Sequence, residues 1–101
     1  MSDVKVHHAH TLGLDKAREL ARQWAEEGAT KMGLKCSHEE GADQDVIHFE
    51  RMGVHGTMTV TATDFDLHIK LGMMMAAFKP MIESEIDRNL DRIIQKAGGQ
   101  A

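Results

Sequence analysis

From Leu14 to Met32 the apolar positions Leu14, Ala17, Leu20, Ala21, Trp24, Ala25, Gly28 and Met32 recur at steps of three and four. That spacing gathers side chains on one face of a helix, so the pattern predicts an amphipathic helix over 14–32. Thr11 is a capping candidate, Asp15 lies in the first turn where a negative charge meets the positive end of the helix dipole, and Gly33 is a suitable stop. A second helical pattern runs through Met74, Ala77, Phe78, Met81, Ile82, Ile86, Leu90, Ile93 and Ile94, with Glu83, Asp87, Arg88, Asp91 and Arg92 on the remaining positions. Pro80 lacks an amide hydrogen and disfavours helical angles at Lys79, so this helix is expected to begin near Pro80 or to kink there.

Between and before the helices the period changes to two. Val4, Val6 and His8 alternate with Lys5 and His7, Ile47 and Phe49 with His48 and Glu50, Met58, Val60 and Ala62 with Thr57, Thr59 and Thr61, and Phe65, Leu67, Ile69 and Leu71 with Asp66, His68 and Lys70. Such alternation describes strands with one buried and one wet face, the usual state of an antiparallel sheet. Gly53 to Gly56 and the pair Thr63, Asp64 are short enough for hairpin turns, Leu34 to His38 is a further strand candidate, and Glu39 to Asp45 reads as a polar loop. The expected fold is α+β in the order β-α-β-β-β-β-α: an antiparallel sheet of four to five strands whose one apolar face is covered by both helices. The expected organisation is one domain over 1–97 with a tail at 98–101.

A chain of 101 residues with 42% hydrophobic and 28% charged positions has the composition of a globular domain with one core. The net charge of −4 is the wrong sign for counterion release from a polyphosphate, so nucleic acid is not an expected partner. One cysteine, Cys36, permits no internal disulfide, and neither a signal-peptide pattern nor a membrane-spanning run is present; a cytoplasmic location is expected.

The histidines raise the question of a metal, since His8 and His10 share a strand face, as do Cys36 and His38 if that segment is extended. No CxxC pair accompanies them, and His38-Glu39-Glu40-Gly41-Ala42 lacks the second histidine of the zinc-protease helix motif. Cys36 is expected as a buried, inert thiol, and Glu39, Glu40, Asp43 and Asp45 as solvated loop carboxylates. No nucleophile motif, phosphate-binding loop or dinucleotide fingerprint occurs, so no enzyme activity, cofactor or metal is expected. The unusual feature is Met73-Met74-Met75 with Phe78 and Met81 close behind, an unbranched, polarizable cluster. Two readings stand open for it: filler of the core and of a helix-to-sheet seam, or an exposed apolar patch that binds.

His10-Thr11-Leu12-Gly13 before Ala17-Arg18, His48-Phe49-Glu50-Arg51 followed by Gly53-Val54 and Gly56, Leu71-Gly72, and Ile82-Glu83 with Ile86 and Leu90-Asp91 together resemble the polyhydroxyalkanoic acid system proteins, a family of small bacterial proteins. The likeness runs over almost the whole chain and rests on the order and spacing of the motifs. It departs from the family's pattern between Cys36 and Asp45, where Ser37-His38-Glu39-Glu40-Gly41 stands in place of an aromatic residue and a Gly-Asp turn. The resemblance implies an accessory role in polyhydroxyalkanoate synthesis or storage, with a granule surface or granule-associated protein as partner, and no catalytic residues to carry over. The fold order is also similar to a reduced helix-grip. Two alternatives follow: a carrier or cryptic enzyme for acyl or hydroxyacyl groups with a cavity between helix and sheet, and a structural homodimer formed through the methionine region.

Overall fold

The computed structural model describes residues 2–98. Strand β1 (Ser2–Ala9) leads into helix α1 (Leu14–Met32); then come β2 (Lys35–Glu40), β3 (Gln44–Arg51), β4 (Val54–Thr61) and β5 (Asp64–Leu71), and, after a single 3₁₀ turn at Ala76–Phe78, helix α2 (Lys79–Lys96). The five strands form one antiparallel sheet in the order β1-β5-β4-β3-β2. The α+β architecture and the order of elements are those expected from the alternation. Of the tail expected at 98–101, only Gly98 falls within the described residues.

Register explains why the sheet has one greasy side. Val4 faces Ile69, Leu67 faces Met58, Val60 faces Phe65 and Ile47 faces Met58 across neighbouring strands, so each strand's inward set lands in the same layer. Helix α1 covers this layer over β2, β3 and β4, and α2 lies along β1. Phe65, Ile47, Met58, Ile69, Leu71 and Leu90 are almost fully buried and fill the space between helices and sheet. Burial of that many large side chains, at roughly 1.5–3 kcal/mol each, is the main force holding the layers together. These side chains occupy the space between helix and sheet where the alternative carrier reading would have its cavity.

Several local details depart from the sequence reading. The N-cap position of α1 is Gly13, at φ 81, rather than Thr11 two residues earlier. Gly33 ends α1 in the left-handed region as expected. Pro80 sits in the first turn of an α2 that begins at Lys79, where a missing amide hydrogen costs nothing. Met74, Ala77 and Phe78, assigned to the α2 stripe by spacing, precede the helix instead. Ala62 lies in the β4–β5 turn with Thr63, and Gly56 lies inside β4 rather than in the turn, which is Met52-Gly53.

Gly56 is in the strand because of Phe49. A Cβ at Gly56 would come within 2.4 Å of the Phe49 ring and 3.1 Å of Ile69. The ring cannot simply withdraw, since Trp24 of α1 packs against it edge-on with centroids 5.3 Å apart. Gly56→Ala is therefore expected to lower unfolding stability by roughly 1–3 kcal/mol through overpacking. Phe49→Leu combined with it should recover part of the loss, and chemical denaturation of the three variants measures both effects.

Candidate functional site: an apolar end and a buried ionic clamp

Two features stand out from an otherwise ordinary surface. The first is built by chain topology at one end of the sheet. There the β3–β4 turn (Met52, Gly53) meets the β5–α2 connection, joined by the Gly72 amide donating to the Gly53 carbonyl at 2.9 Å. The C-terminus of α1 reaches the same end, where Arg51 Nη1 donates to the Met32 carbonyl at 2.9 Å. Met52 is 97% exposed, Met73 89% and Met74 88%, and Met32, Phe78 and Met81 are exposed as well. These six make up every exposed large hydrophobic residue among those described.

Of the five candidate binding residues, then, Met73, Met74, Phe78 and Met81 are brought to the surface together. Met75 is partly buried and packs against the core beside Gly53. The filler reading holds for Met75 alone. The reason is geometric: Gly72 turns the chain out of β5, the 3₁₀ turn rotates it, and the helix begins only at Lys79, so residues 73 and 74 never join the covered face of α2. Met52 and Met32 escaped the sequence reading; the signal for Met52 was its position in front of a turn glycine, where no layer lies above it.

The second feature is a buried ionic cluster. Asp45 was expected in an exposed acidic loop, yet it belongs to β3 and is fully buried. Arg18 of α1 donates from Nε to Asp45 Oδ2 at 2.7 Å, His38 of β2 donates to the same oxygen at 2.7 Å, and the Gly41 amide donates to Oδ1 at 3.3 Å. Arg18 also reaches the Gly41 carbonyl at 3.0 Å, and Arg22 pairs with Glu40. Glu39 and Glu40 lie in β2, leaving only 41–43 as the loop. Burial pushes the Asp45 carboxyl up, but the hydrogen bonds from Arg18, His38 and Gly41 outweigh it and hold the group below its ordinary value. The alternation pointed inward here had it been extended one step back from Ile47, since residues 45, 47 and 49 share a face.

Donor atoms of His38, Glu40 and Asp45 lie within 4.8 Å of one another, a spacing a metal ion could use. Two guanidinium groups already supply the positive charge there, and a cation would have to displace them. Chemically the cluster is a clamp fastening α1 to the β2–β3 hairpin.

The other histidines are scattered. His8 donates to Asp87 of α2 at 2.7 Å, while His10, just past the strand end, is buried with its ring 4.6 Å from that of Phe65 and its Nδ1 accepting from the Leu12 amide. His8 and His10 thus serve different contacts. Burial lowers the His10 pKa below the ordinary 6.5, opposed by nearby Asp64 and Thr61 carbonyls and the Asp64 charge. Cys36, expected buried, is exposed, because β2 is an edge strand with little helix above it; its Sγ lies 3.7 Å from the Ala25 carbonyl, and partial burial raises the thiol pKa. On the uncovered face of the sheet a cleft of about 600 Å³ is lined by Lys35, Ser37, His48, Glu50, His55 and His68 among others, with His55 3.3 Å from Glu50. No helix among the described residues is long and apolar enough to cross a membrane.

A one-sided antiparallel sheet under two helices, with an uncovered methionine end and a structural ionic clamp, defines a small α+β protein. The family model described as "Putative polyhydroxyalkanoic acid system protein" matches residues 4–94. The chain belongs to that family, which ties it to the polyhydroxyalkanoate system. No curated protein and no solved structure shows significant similarity to it.

Acid should destabilise the fold in two steps. The folded chain resists protonation at His10, so stability is expected to decline as pH falls through the ordinary imidazole value of 6.5. Asp45 has a folded-state pKa below its unfolded one, so its contribution is complete above about pH 4 and is lost as pH falls through the folded value. Thermal unfolding across pH should show His10→Gln flattening the first decline and Asp45→Asn flattening the second, the latter with a lower midpoint at neutral pH because Arg18 loses its partner.

Proposed function

We propose that this protein is an accessory component of the polyhydroxyalkanoate system that docks on an apolar surface through Met52, Met73, Met74, Phe78 and Met81. The observation carrying this reading is that every exposed large hydrophobic side chain among the described residues lies at, or directly beside, one end of the fold. Methionine suits such a role: its unbranched chain and polarizable sulfur adapt to irregular surfaces that a branched side chain would meet poorly. A polyester granule, with no defined pockets to fill, is that kind of surface. A rigid sheet behind a mobile-chained tip lets the protein bind without reorganising its core.

The reading assigns no chemistry to the ionic clamp or to Cys36. It places the protein in the cytoplasm, where it acts by occupying an interface. In co-sedimentation with polyhydroxyalkanoate granules the wild type is expected in the pellet. A Met74→Asp, Phe78→Asp variant should bind at least about tenfold more weakly, because each charge must be desolvated on docking. Its thermal stability should stay close to that of the wild type, since exposed substitutions away from packed sites shift stability by only about 0.5 kcal/mol. Equal recovery of the folded variant and the wild type on granules would refute the reading, as would a wild type that stays in solution.

A further inference from the structure

The exposed large apolar residues are almost all of one chemical kind. Among the described residues five of the six are methionines, Met32, Met52, Met73, Met74 and Met81, and Phe78 is the sixth. The core is built the other way: valine, leucine, isoleucine, phenylalanine and alanine fill it, Met58 is the only fully buried methionine described, and Met75 is half-buried beside Gly53. Leucine would offer much the same apolar area at the surface positions. What methionine adds is a thioether, which a mild two-electron oxidant converts into a strongly polar group. Met52, Met73 and Met74 are nearly fully exposed and Met32 and Met81 more than half, so a dissolved peroxide can reach them, whereas Met58 is sealed between sheet and helices.

We infer that the exposed methionines of the apolar end are a reversible oxidation site, through which a peroxide turns that end polar and releases the protein from the surface it docks on. This inference rests on the docking reading above and names its regulation. In the step, a thioether lone pair attacks one oxygen of hydrogen peroxide. The S–O bond forms as the O–O bond breaks, and the departing hydroxide takes the proton left on the transferred oxygen and leaves as water. Sulfur loses two electrons and the peroxide gains them. The sulfoxide carries a strong dipole that must shed its water to enter an apolar surface, so several such groups at the tip oppose docking. The layers behind the tip, held by buried side chains, are untouched. Return requires a methionine sulfoxide reductase, which removes the oxygen as water while two thiols become a disulfide.

Brief treatment of the whole protein with hydrogen peroxide, followed by peptide mass spectrometry, tests the site, and co-sedimentation with polyhydroxyalkanoate granules before and after tests its effect. Met52, Met73 and Met74 are expected to gain oxygen at least about tenfold faster than Met58, with thermal unfolding of the product close to that of the untreated protein. Granule binding should fall at least about tenfold and return after incubation with both stereospecific methionine sulfoxide reductases and dithiothreitol. A variant with Met32→Leu, Met52→Leu, Met73→Leu, Met74→Leu and Met81→Leu retains Cys36 but lacks the site, so its binding, whatever its starting value, should be the same before and after peroxide. Should that variant fail to fold or to bind, repair of the oxidised wild type decides alone. Oxidation of Met58 as fast as the surface methionines overturns the inference, as does undiminished granule binding by the oxidised protein or a loss on peroxide treatment in the leucine variant. Those outcomes leave the docking reading intact, whereas failure of the untreated wild type to reach the granules overturns both.

Discussion

The structure depends on one constraint: every strand alternates with a period of two, and the register between strands keeps the inward positions in a single layer. Once Ile47, Met58, Leu67 and Val4 share that layer, it has to be covered, and α1 and α2 are the two amphipathic elements able to cover it. A slip of one residue in any strand would send its apolar set into solvent. The other face of the sheet, with its threonines, lysines and histidines, needs no cover. The division into a helix layer and a wet sheet face follows from this alternation.

Helices that cover the middle of a sheet do not cover its ends. Turns and connections gather there, and what they carry is free of the packing rules that govern the core. At one end the turn at Gly53 and the bend at Gly72 are tied together by a backbone hydrogen bond, and the residues beside them are methionines. At the other end the turns carry Asp43, Thr63 and Asp64, where Thr63 Oγ1 donates to Asp64 Oδ2 at 2.6 Å and the Asp64 amide donates to Thr61 Oγ1 at 3.0 Å. The two ends of the molecule thus differ: one exposes methionines, and the turns of the other are hydrogen-bonded internally.

The Arg18, Asp45 and His38 cluster shows the same fold solving a different difficulty. Edge strand β2 receives little cover from α1, and its burial pattern is almost entirely exposed, so apolar contact alone holds it weakly. An ionic contact inside the layer, satisfied on both carboxylate oxygens, fixes the β2–β3 hairpin to the helix at one geometry. Removing one partner of such a cluster leaves a charge in a poor environment, which makes the contact a determinant of position rather than a large net source of stability.

How much of this was legible in the sequence depended on distance along the chain. The bounds of α1, the inward sets of β3, β4 and β5, the stop at Gly33 and the start of α2 near Pro80 were all readable, because each is decided by neighbours within a few residues: periodicity, a left-handed glycine, a missing amide hydrogen. Family membership was legible as well, through motifs spread from His10 to Asp91. Which methionines face outward was not, since Met74 and Ala77 fit a helical stripe by spacing and only the 3₁₀ turn before α2 takes them off it. Asp45, Gly56 and Cys36 were misplaced for a common reason: their surroundings come from Arg18, from the Phe49 ring and from the edge position of β2, all distant in sequence or set by strand order. Local chemistry determined the elements; contacts between residues far apart in the chain decided which end was left uncovered and which charge was buried.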